Sequence, residues 1–437
     1  MSKVVKFGGS SLADANQFKK VYDIIKSDDA RKYVIPSAPG KRFDGDTKVT
    51  DLLYKAYRYV DRPEFESIFE QIKQRYQEII DDLHIDISLE EDFKEIKMKF
   101  LEHAGQDYAA SRGEYLNGKV LAKYLDFEFI DAKDVIFIDE NGKYDEKQTD
   151  PVLSKKLKEI ECAVIPGFYG SWNDGSGAIK TFSRGGSDVT GSIVAKNAHA
   201  SMYENWTDVS GFLVADPRIV HNPRVIDTIT YKELRELSYM GASVLHEDSI
   251  FPVRKEGIPI NIRNTNHPED TGTLIVDSTC HIPDHVLTGI AGSTGFATVM
   301  IEKDMMNDEI GFGRKILSVF EKHNISFEHI PTGIDTMTII VKTEQFIDYE
   351  QDILAEIHRA VEPDSIVLES DLALIAIVGR GMKASRGTAA RIFQALAKEN
   401  VNVKMIDQGS SELNLILGVR NCYFKPAIKA IYEEFLG

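Results

Sequence analysis

Apolar and polar positions along this chain switch between two periods, and the switches mark its elements. Lys3 to Phe7 reads as a short buried strand, closed by Gly8-Gly9-Ser10-Ser11. Leu12 to Ser27 then carries Phe18, Val21, Tyr22, Ile24 and Ile25 at helical spacing. Strand, glycine turn and helix in that order suit a phosphate site, because a helix N-terminus leaves N–H groups free for an anion. A second strand, Tyr33 to Ile35, runs into Pro36-Ser37-Ala38-Pro39-Gly40. Lys41 to Lys48 is polar and reads as a mobile loop, with Thr50 as the N-cap of the next helix.

From Pro63 to about His103 the chain turns charged and helical. Phe65, Ile68, Phe69, Ile72, Tyr76, Ile79, Ile80 and Leu83 fall three or four apart and form one apolar stripe. This region reads as a helical insertion packed on its domain, with little chemistry of its own. Tyr108 to Leu125 is a further helix carrying Arg112-Gly113-Glu114, and strands are expected near Phe129–Ile130, Val135–Ile138 and Ala163–Ile165. Strands alternating with helices predict an α/β domain with a largely parallel sheet.

The stretch Ser183 to Gly191, SRGGSDVTG, is the densest in chemistry. Two glycines between Arg184 and Asp188 let the backbone turn tightly and bring both side chains to one point. The guanidinium offers a bidentate fork for carboxylate or phosphate. Next comes a strand around Tyr203 to Val209, which leaves Thr207 and Asp208 at its carboxyl end, where open α/β sheets bind ligands. Tyr231 to Leu245 reads as a helix and Ile258 to Ile262 as the last strand of this domain. Asn264 to Gly272, rich in turn formers, reads as a boundary.

Beyond it the sequence repeats itself at an offset of 76 residues: Gly311, Ile316, Lys322, Asn324 and Ile330 recur as Gly387, Ile392, Lys398, Asn400 and Ile406. Ile339-Ile340-Val341 likewise recurs as Leu415-Ile416-Leu417. Each copy reads strand, helix, strand, strand, a small α+β module.

Composition narrows the function classes. A net charge of −17 over 437 residues, with no basic block, argues against nucleic acid as the partner. Three widely spaced cysteines fit a reducing, cytoplasmic setting better than a disulfide framework. The N-terminus lacks an apolar signal core and no run approaches membrane-spanning length, so no membrane partner is expected. Cys280, His281 and His285 lie close in sequence, yet Pro283 breaks the helix that would align the histidines, and no metal site is expected.

In this order the pieces resemble the aspartate kinases, members of the amino-acid kinase family with C-terminal ACT domains. The resemblance rests on VVKFGGSS, PGFYG followed by SRGGSDVTG, WTDVSGFLVADPR and MGASVLHEDSIFPV, and it covers nearly the whole chain. It implies a three-layer, largely parallel amino-acid kinase fold followed by two ferredoxin-like ACT modules. The expected division is 1–276 for the kinase domain, with a helical insertion at about 61–105, and 277–437 for the regulatory region. There the first module would span about 296–365, inserted in a second built from 286–295 and 370–437.

The resemblance also implies a reaction: phosphoryl transfer from ATP, with Mg²⁺, to the side-chain carboxylate of L-aspartate. A carboxylate is already a competent nucleophile at neutral pH, so charge neutralisation and positioning should dominate. Lys6 matches the family lysine at the transferring phosphates, with Gly8, Gly9 and Ser10 as their cradle. Ser37 and Thr50 match residues of the aspartate pocket, and Glu114 the carboxylate that meets the substrate's amino group. Arg184 would clamp a substrate carboxylate and Asp188 orient the amino acid or the arginine. Thr207 and Asp208 would contact the nucleotide, and Arg218 its phosphates. Where the family often has a tyrosine two residues after Gly211, this chain has Leu213.

In the first ACT copy, Met306, Gly311, Phe312, Ser326, Phe327, Glu328, Gly333 and Asp335 match positions that surround the effector in lysine-sensitive relatives. Glu328 or Asp335 would meet a cationic amino group, with lysine or threonine as the allosteric amino acid. ACT modules commonly pair across subunits, which implies at least a homodimer, and no fused dehydrogenase is expected after Gly437. Another amino-acid kinase and a catalytically inactive amino-acid sensor remain as alternative readings.

Overall fold

The computed structural model describes residues 2–183, 185–241, 245, 247–278 and 285–437. Arg184, Cys280, His281 and part of the MGASVLH stretch therefore lie outside the described residues. The chain divides into two compact units, the first made of Met1–Phe212, Val225–Tyr231 and Val244–Thr279, the second of Leu213–Arg224, Lys232–Ser243 and Cys280–Gly437.

In the first unit the two expected N-terminal strands, Lys3–Phe7 and Arg31–Pro36, pair in parallel near the middle of an eight-stranded sheet. Met202–Thr207 pairs in parallel on the other side of Lys3–Phe7, followed by Ile260–Asn264. The sheet is parallel except where Ile260–Asn264 meets Thr273–Val276. Asn264 to Gly272 is thus the turn of a hairpin inside one sheet. The turn formers mark a reversal there, and Arg263 closes it by donating to Pro268 O (2.7 Å) and Asp270 O (3.1 Å). A smaller sheet of Phe137–Ile138, Tyr169–Trp172 and Ile179–Thr181 stands beside the large one, so the expected strand near Val135–Ile138 belongs elsewhere than its neighbours.

The first helix starts at Ala15, capped by Asp14, whose carboxylate accepts from Gln17 N at 3.0 Å. The helix after the polar loop runs Val49–Arg58 with Lys48 at its N-cap, which puts Thr50 in the first turn and not at the cap. The helical insertion is two helices, Glu64–Leu83 and Glu90–Leu101. All eight positions of its apolar stripe are buried, in one cluster with Phe18, Leu53, Leu116 and Val120. Phe69, Phe93 and Phe100 meet there with ring centroids 6.1–6.2 Å apart, the edge-to-face arrangement aromatic quadrupoles favour.

The second unit is built on two long antiparallel strands, Gly289–Glu302 and Ser365–Val378, in a six-stranded sheet. Thr336–Lys342 flanks the later half of the former strand, and Asn414–Val419 the later half of the latter. The repeat has a visible cause. Its helices, Phe312–Lys322 and Thr388–Lys398, are each opened by a glycine with φ near +84° (Gly311) and +83° (Gly387). Each is left through an asparagine, Asn324 and Asn400, at φ +56° and +55°. Glycine and asparagine recur because they bear left-handed backbone at least cost. Each copy also carries a closing helix, Glu350–Val361 and Phe424–Leu436, beyond the strand–helix–strand–strand pattern read from sequence.

Candidate active site

Three adjacent parallel strands, Arg31–Pro36, Lys3–Phe7 and Met202–Thr207, end at one edge of the large sheet. The segments that leave them line a single cleft of about 610 Å³: Gly8-Gly9-Ser10, Ser37 to Asp44, and Thr207-Asp208, together with Lys48, Thr50 and Glu114. That edge is where open α/β sheets collect ligands. Two of its turns touch directly, Gly40 N donating to Gly9 O at 2.8 Å. A Cβ on Gly9 would come within 2.8 Å of Ala38 O, and one on Gly40 within 2.6 Å of the Gly9 carbonyl carbon. Only glycine allows this approach at either position.

Beneath the glycine turn lies a buried charge cluster. Parallel register sets Lys6 beside Asn205, so both side chains leave the sheet on the same face. Lys6 is 9% exposed, and its ammonium is 2.6 Å from Asp188 Oδ1. Asn205 Nδ2 donates to the same oxygen at 2.9 Å, and Lys6 Nζ to Asn205 Oδ1 at 3.4 Å. Asp188 sits in the first turn of the helix Gly186–Asn197, where the dipole favours a carboxylate. The ammonium is 3.9 Å from where a Cβ of Gly8 would be, directly under the cradle. No local sequence signal marks Asn205; what finds it is its cross-strand partnership with Lys6, which needs the sheet order.

Glu114 enters from the helix Gln106–Leu125 and is almost wholly buried. Its Oε1 accepts from Ala38 N at 3.1 Å, while Oε2 has no hydrogen-bond partner among the described residues. Burial pushes its carboxyl up from the usual 4.5 to about 8. One turn on, Asn117 Nδ2 donates to Ser37 O at 2.6 Å, and its buried Oδ1 is also left without a partner. An unpaired buried acceptor costs about 1–3 kcal/mol, so two of them at neighbouring positions of one helix mark a place where a donor is missing.

At the other end of the cleft, Thr207 Oγ1 donates to Asp208 Oδ1 at 3.2 Å in an exposed turn. The loop Lys41–Lys48, read from sequence as mobile, is tied instead: Asp46 accepts from Arg42 Nε at 3.0 Å and from the buried Arg75 at 2.7 Å. These bonds hold the Asp46 carboxyl far below the usual carboxylate range. Arg218 lies in the second unit, paired with Asp216 at 2.7 Å and largely exposed.

The positions matched to an effector site divide. Met306 and Phe312 are buried in the apolar core of the first module, among Ile316, Phe320 and Ile339. Gly311 supplies the left-handed entry to the helix, and the Asp335 carboxylate accepts from Met305 N at 3.0 Å. Ser326, Gly333 and about half of Phe327 are open to solvent. Glu328 takes a hydrogen bond from Tyr239, a partner the sequence did not suggest. Among the described residues no group of three or more His, Cys, Asp or Glu is placed to hold a metal ion, and no helix is long and apolar enough to cross a membrane.

The fold and this cleft define a small-molecule kinase, and comparison with known proteins makes the class specific. Residues 1–264 match the amino acid kinase family and residues 375–435 an ACT domain. Aspartokinase 3 of Bacillus subtilis (strain 168) is 40% identical over 99% of this chain and 98% of its own length. The crystal structure of aspartate kinase from Clostridium acetobutylicum superposes with a TM-score of 0.89 at 53% identity, covering 99% of both chains. Escherichia coli aspartokinase III, solved in complex with lysine and aspartate, gives 0.73 at 25% identity over the full length of both. The chain belongs to the amino acid kinase family, and within it to the aspartokinases, with the amino-acid kinase fold followed by ACT modules.

Proposed function

We propose that the cleft binds L-aspartate and ATP and transfers the γ-phosphoryl group to the aspartate side-chain carboxylate, giving 4-phospho-L-aspartate and ADP. One observation carries this reading. A glycine turn with a buried ammonium directly beneath it, and a buried carboxyl whose Oε2 has no partner among the described residues, lie at one cleft at the ends of three parallel strands, the turn and Glu114 lining it. The substrate carboxylate oxygen attacks the γ-phosphorus and the bond to the β,γ-bridging oxygen breaks, its electron pair leaving with ADP. No proton has to move, so no general base is required.

Lys6 neutralises charge on the transferring phosphoryl, and Asp188 with Asn205 holds that ammonium in place. The backbone N–H groups of Gly8, Gly9 and Ser10 cradle the phosphates. Glu114 Oε2 accepts from the substrate ammonium, beside Ser37 and Thr50, while Arg184 takes a substrate carboxylate. Thr207 and Asp208 meet the nucleotide. Mg²⁺ would accompany ATP and supply charge neutralisation at the phosphates, and the exposed Asp208 carboxylate beside Thr207 would be available to hold it.

The regulatory region is read as two ACT modules, about 296–365 and 286–295 with 370–437, in a homodimer or higher homo-oligomer. Glu328 and Asp335 are the acidic residues offered to a cationic effector, with lysine the first candidate because the Escherichia coli relative was solved with it, and threonine the second. The deciding experiment is ADP release with ATP and Mg²⁺, comparing L-aspartate with L-glutamate. Turnover with aspartate and none with glutamate is expected. No aspartate-dependent ADP would overturn the kinase reading in favour of an inactive sensor.

A further inference from the structure

We propose that Arg75, from the helical insertion, is a positioning residue of the phosphoryl-transfer site: it fastens the glycine cradle, the substrate turn and the loop Lys41–Lys48 to one another. This rests on the reading of the cleft given above. The Arg75 side chain is 4% exposed and comes from the helix Glu64–Leu83, outside the strands and turns that make the cleft. Its guanidinium reaches three separate segments. One Nη2 donates to Ala13 O at 3.1 Å, just past the turn Gly9–Leu12, and to Gly40 O at 2.6 Å. Nη1 donates to Asp46 Oδ2 at 2.7 Å.

Each anchor bears on the cleft. Gly40 is packed against Gly9 so closely that neither tolerates a side chain, so moving Gly40 moves the cradle. Asp46 pins the loop whose two ends, Lys41 and Lys48, line the cleft. Neither lysine makes an ion pair among the described residues, whereas Arg42 is committed to Asp46 and Glu78. A chain of net charge −17 that gathers ATP and aspartate needs such uncommitted cations held at the cleft, and a flexible loop would hold them poorly. The planar fork of arginine suits the task because it presents several donors in fixed directions. The neighbouring Tyr76 adds a second tie, donating to Gly113 O at 2.7 Å beside Glu114.

The test uses the full chain with Arg75→Met, Arg75→Lys and Asp46→Asn, measuring kcat, KM for each substrate, thermal unfolding, and hydrogen exchange of residues 38–48. Arg75→Met is expected to raise KM for both ATP and aspartate by about tenfold or more and to speed exchange across that segment, with Arg75→Lys recovering part of the loss. Unchanged KM values together with a lowered unfolding temperature would make Arg75 a scaffold residue only and overturn the proposal. Should Arg75→Met fail to fold, Asp46→Asn decides, because it weakens the bonds of Arg75 and Arg42 to the loop while leaving the Arg75 bonds to Ala13 O and Gly40 O in place. Faster exchange at 41–48 with a raised KM supports the proposal, and no change in both overturns it. Absence of wild-type turnover would defeat the kinase reading instead, and exchange in Arg75→Met against wild type would still decide whether Arg75 fastens the segment.

Discussion

A carboxyl raised to about 8 by burial is largely protonated at neutral pH while the cleft is empty. An arriving ammonium favours the carboxylate, so aspartate binding should release a proton from Glu114. KM for aspartate is therefore expected to fall as pH rises from about 6.5 and to level off above about 8. Glu114→Gln should raise KM by roughly 10–100-fold and flatten this profile, since a charge-assisted bond contributes about 1.5–3 kcal/mol. A steady-state pH series on both proteins checks it, and an unchanged profile in the variant would remove Glu114 from the site. Stability should move the opposite way. The folded value stands above the usual 4.5, so the native state holds its full advantage below that pH and loses it as pH rises through about 8. Denaturant midpoints at pH 5 and 8.5 should differ less in Glu114→Gln than in the parent, given a two-state transition.

At the scale of elements, the helical insertion does more than its composition suggests. Its apolar stripe was readable, and the structure buries every member of it. Phe100, fully buried against Tyr57, Phe65 and Phe69, is its centre. Phe100→Ala should cost about 3–5 kcal/mol, through lost burial and the cavity left behind. Urea unfolding checks this, and a loss below about 1 kcal/mol would mean the two helices repack freely. The helix that carries the stripe also brings Arg75 to Gly40 O and Tyr76 to Gly113 O, a consequence visible only once the helix is docked. The polar loop after Gly40 teaches the converse. Lys41 to Lys48 is rich in charge and turn formers, and flexibility was the natural expectation. Its order depends on Arg75, nearly thirty positions away from Asp46, and no local pattern encodes that bond.

For the whole molecule, kinase and ACT regions in one chain raise the question of coupling. An effector can lower activity only by binding two arrangements of the protein unequally, typically with a coupling of about 1–3 kcal/mol. If Glu328 and Asp335 receive a cationic amino acid, added L-lysine should raise KM for aspartate or lower kcat, and Glu328→Gln should weaken that response without altering the uninhibited rate. Inhibition assays with lysine and threonine, separately and together, test it. No response to either would leave the acidic pair with a structural role, as the Tyr239 and Met305 bonds already permit.

By itself the sequence determined the α/β character of the first region, the repeat in the second, and the strand that runs through Lys6 into a glycine turn. These depend on local periodicity, on backbone conformations that only glycine or asparagine bears cheaply, and on short motifs read whole. Tertiary structure alone decided that Asn264 to Gly272 is a hairpin turn and that Asn205 joins Lys6 and Asp188. It also decided that Glu114 lacks a second partner and that one guanidinium ties three cleft segments together. Each of these is a relation between residues far apart in the chain, fixed by strand order and helix docking, and desolvation acts only once such packing exists.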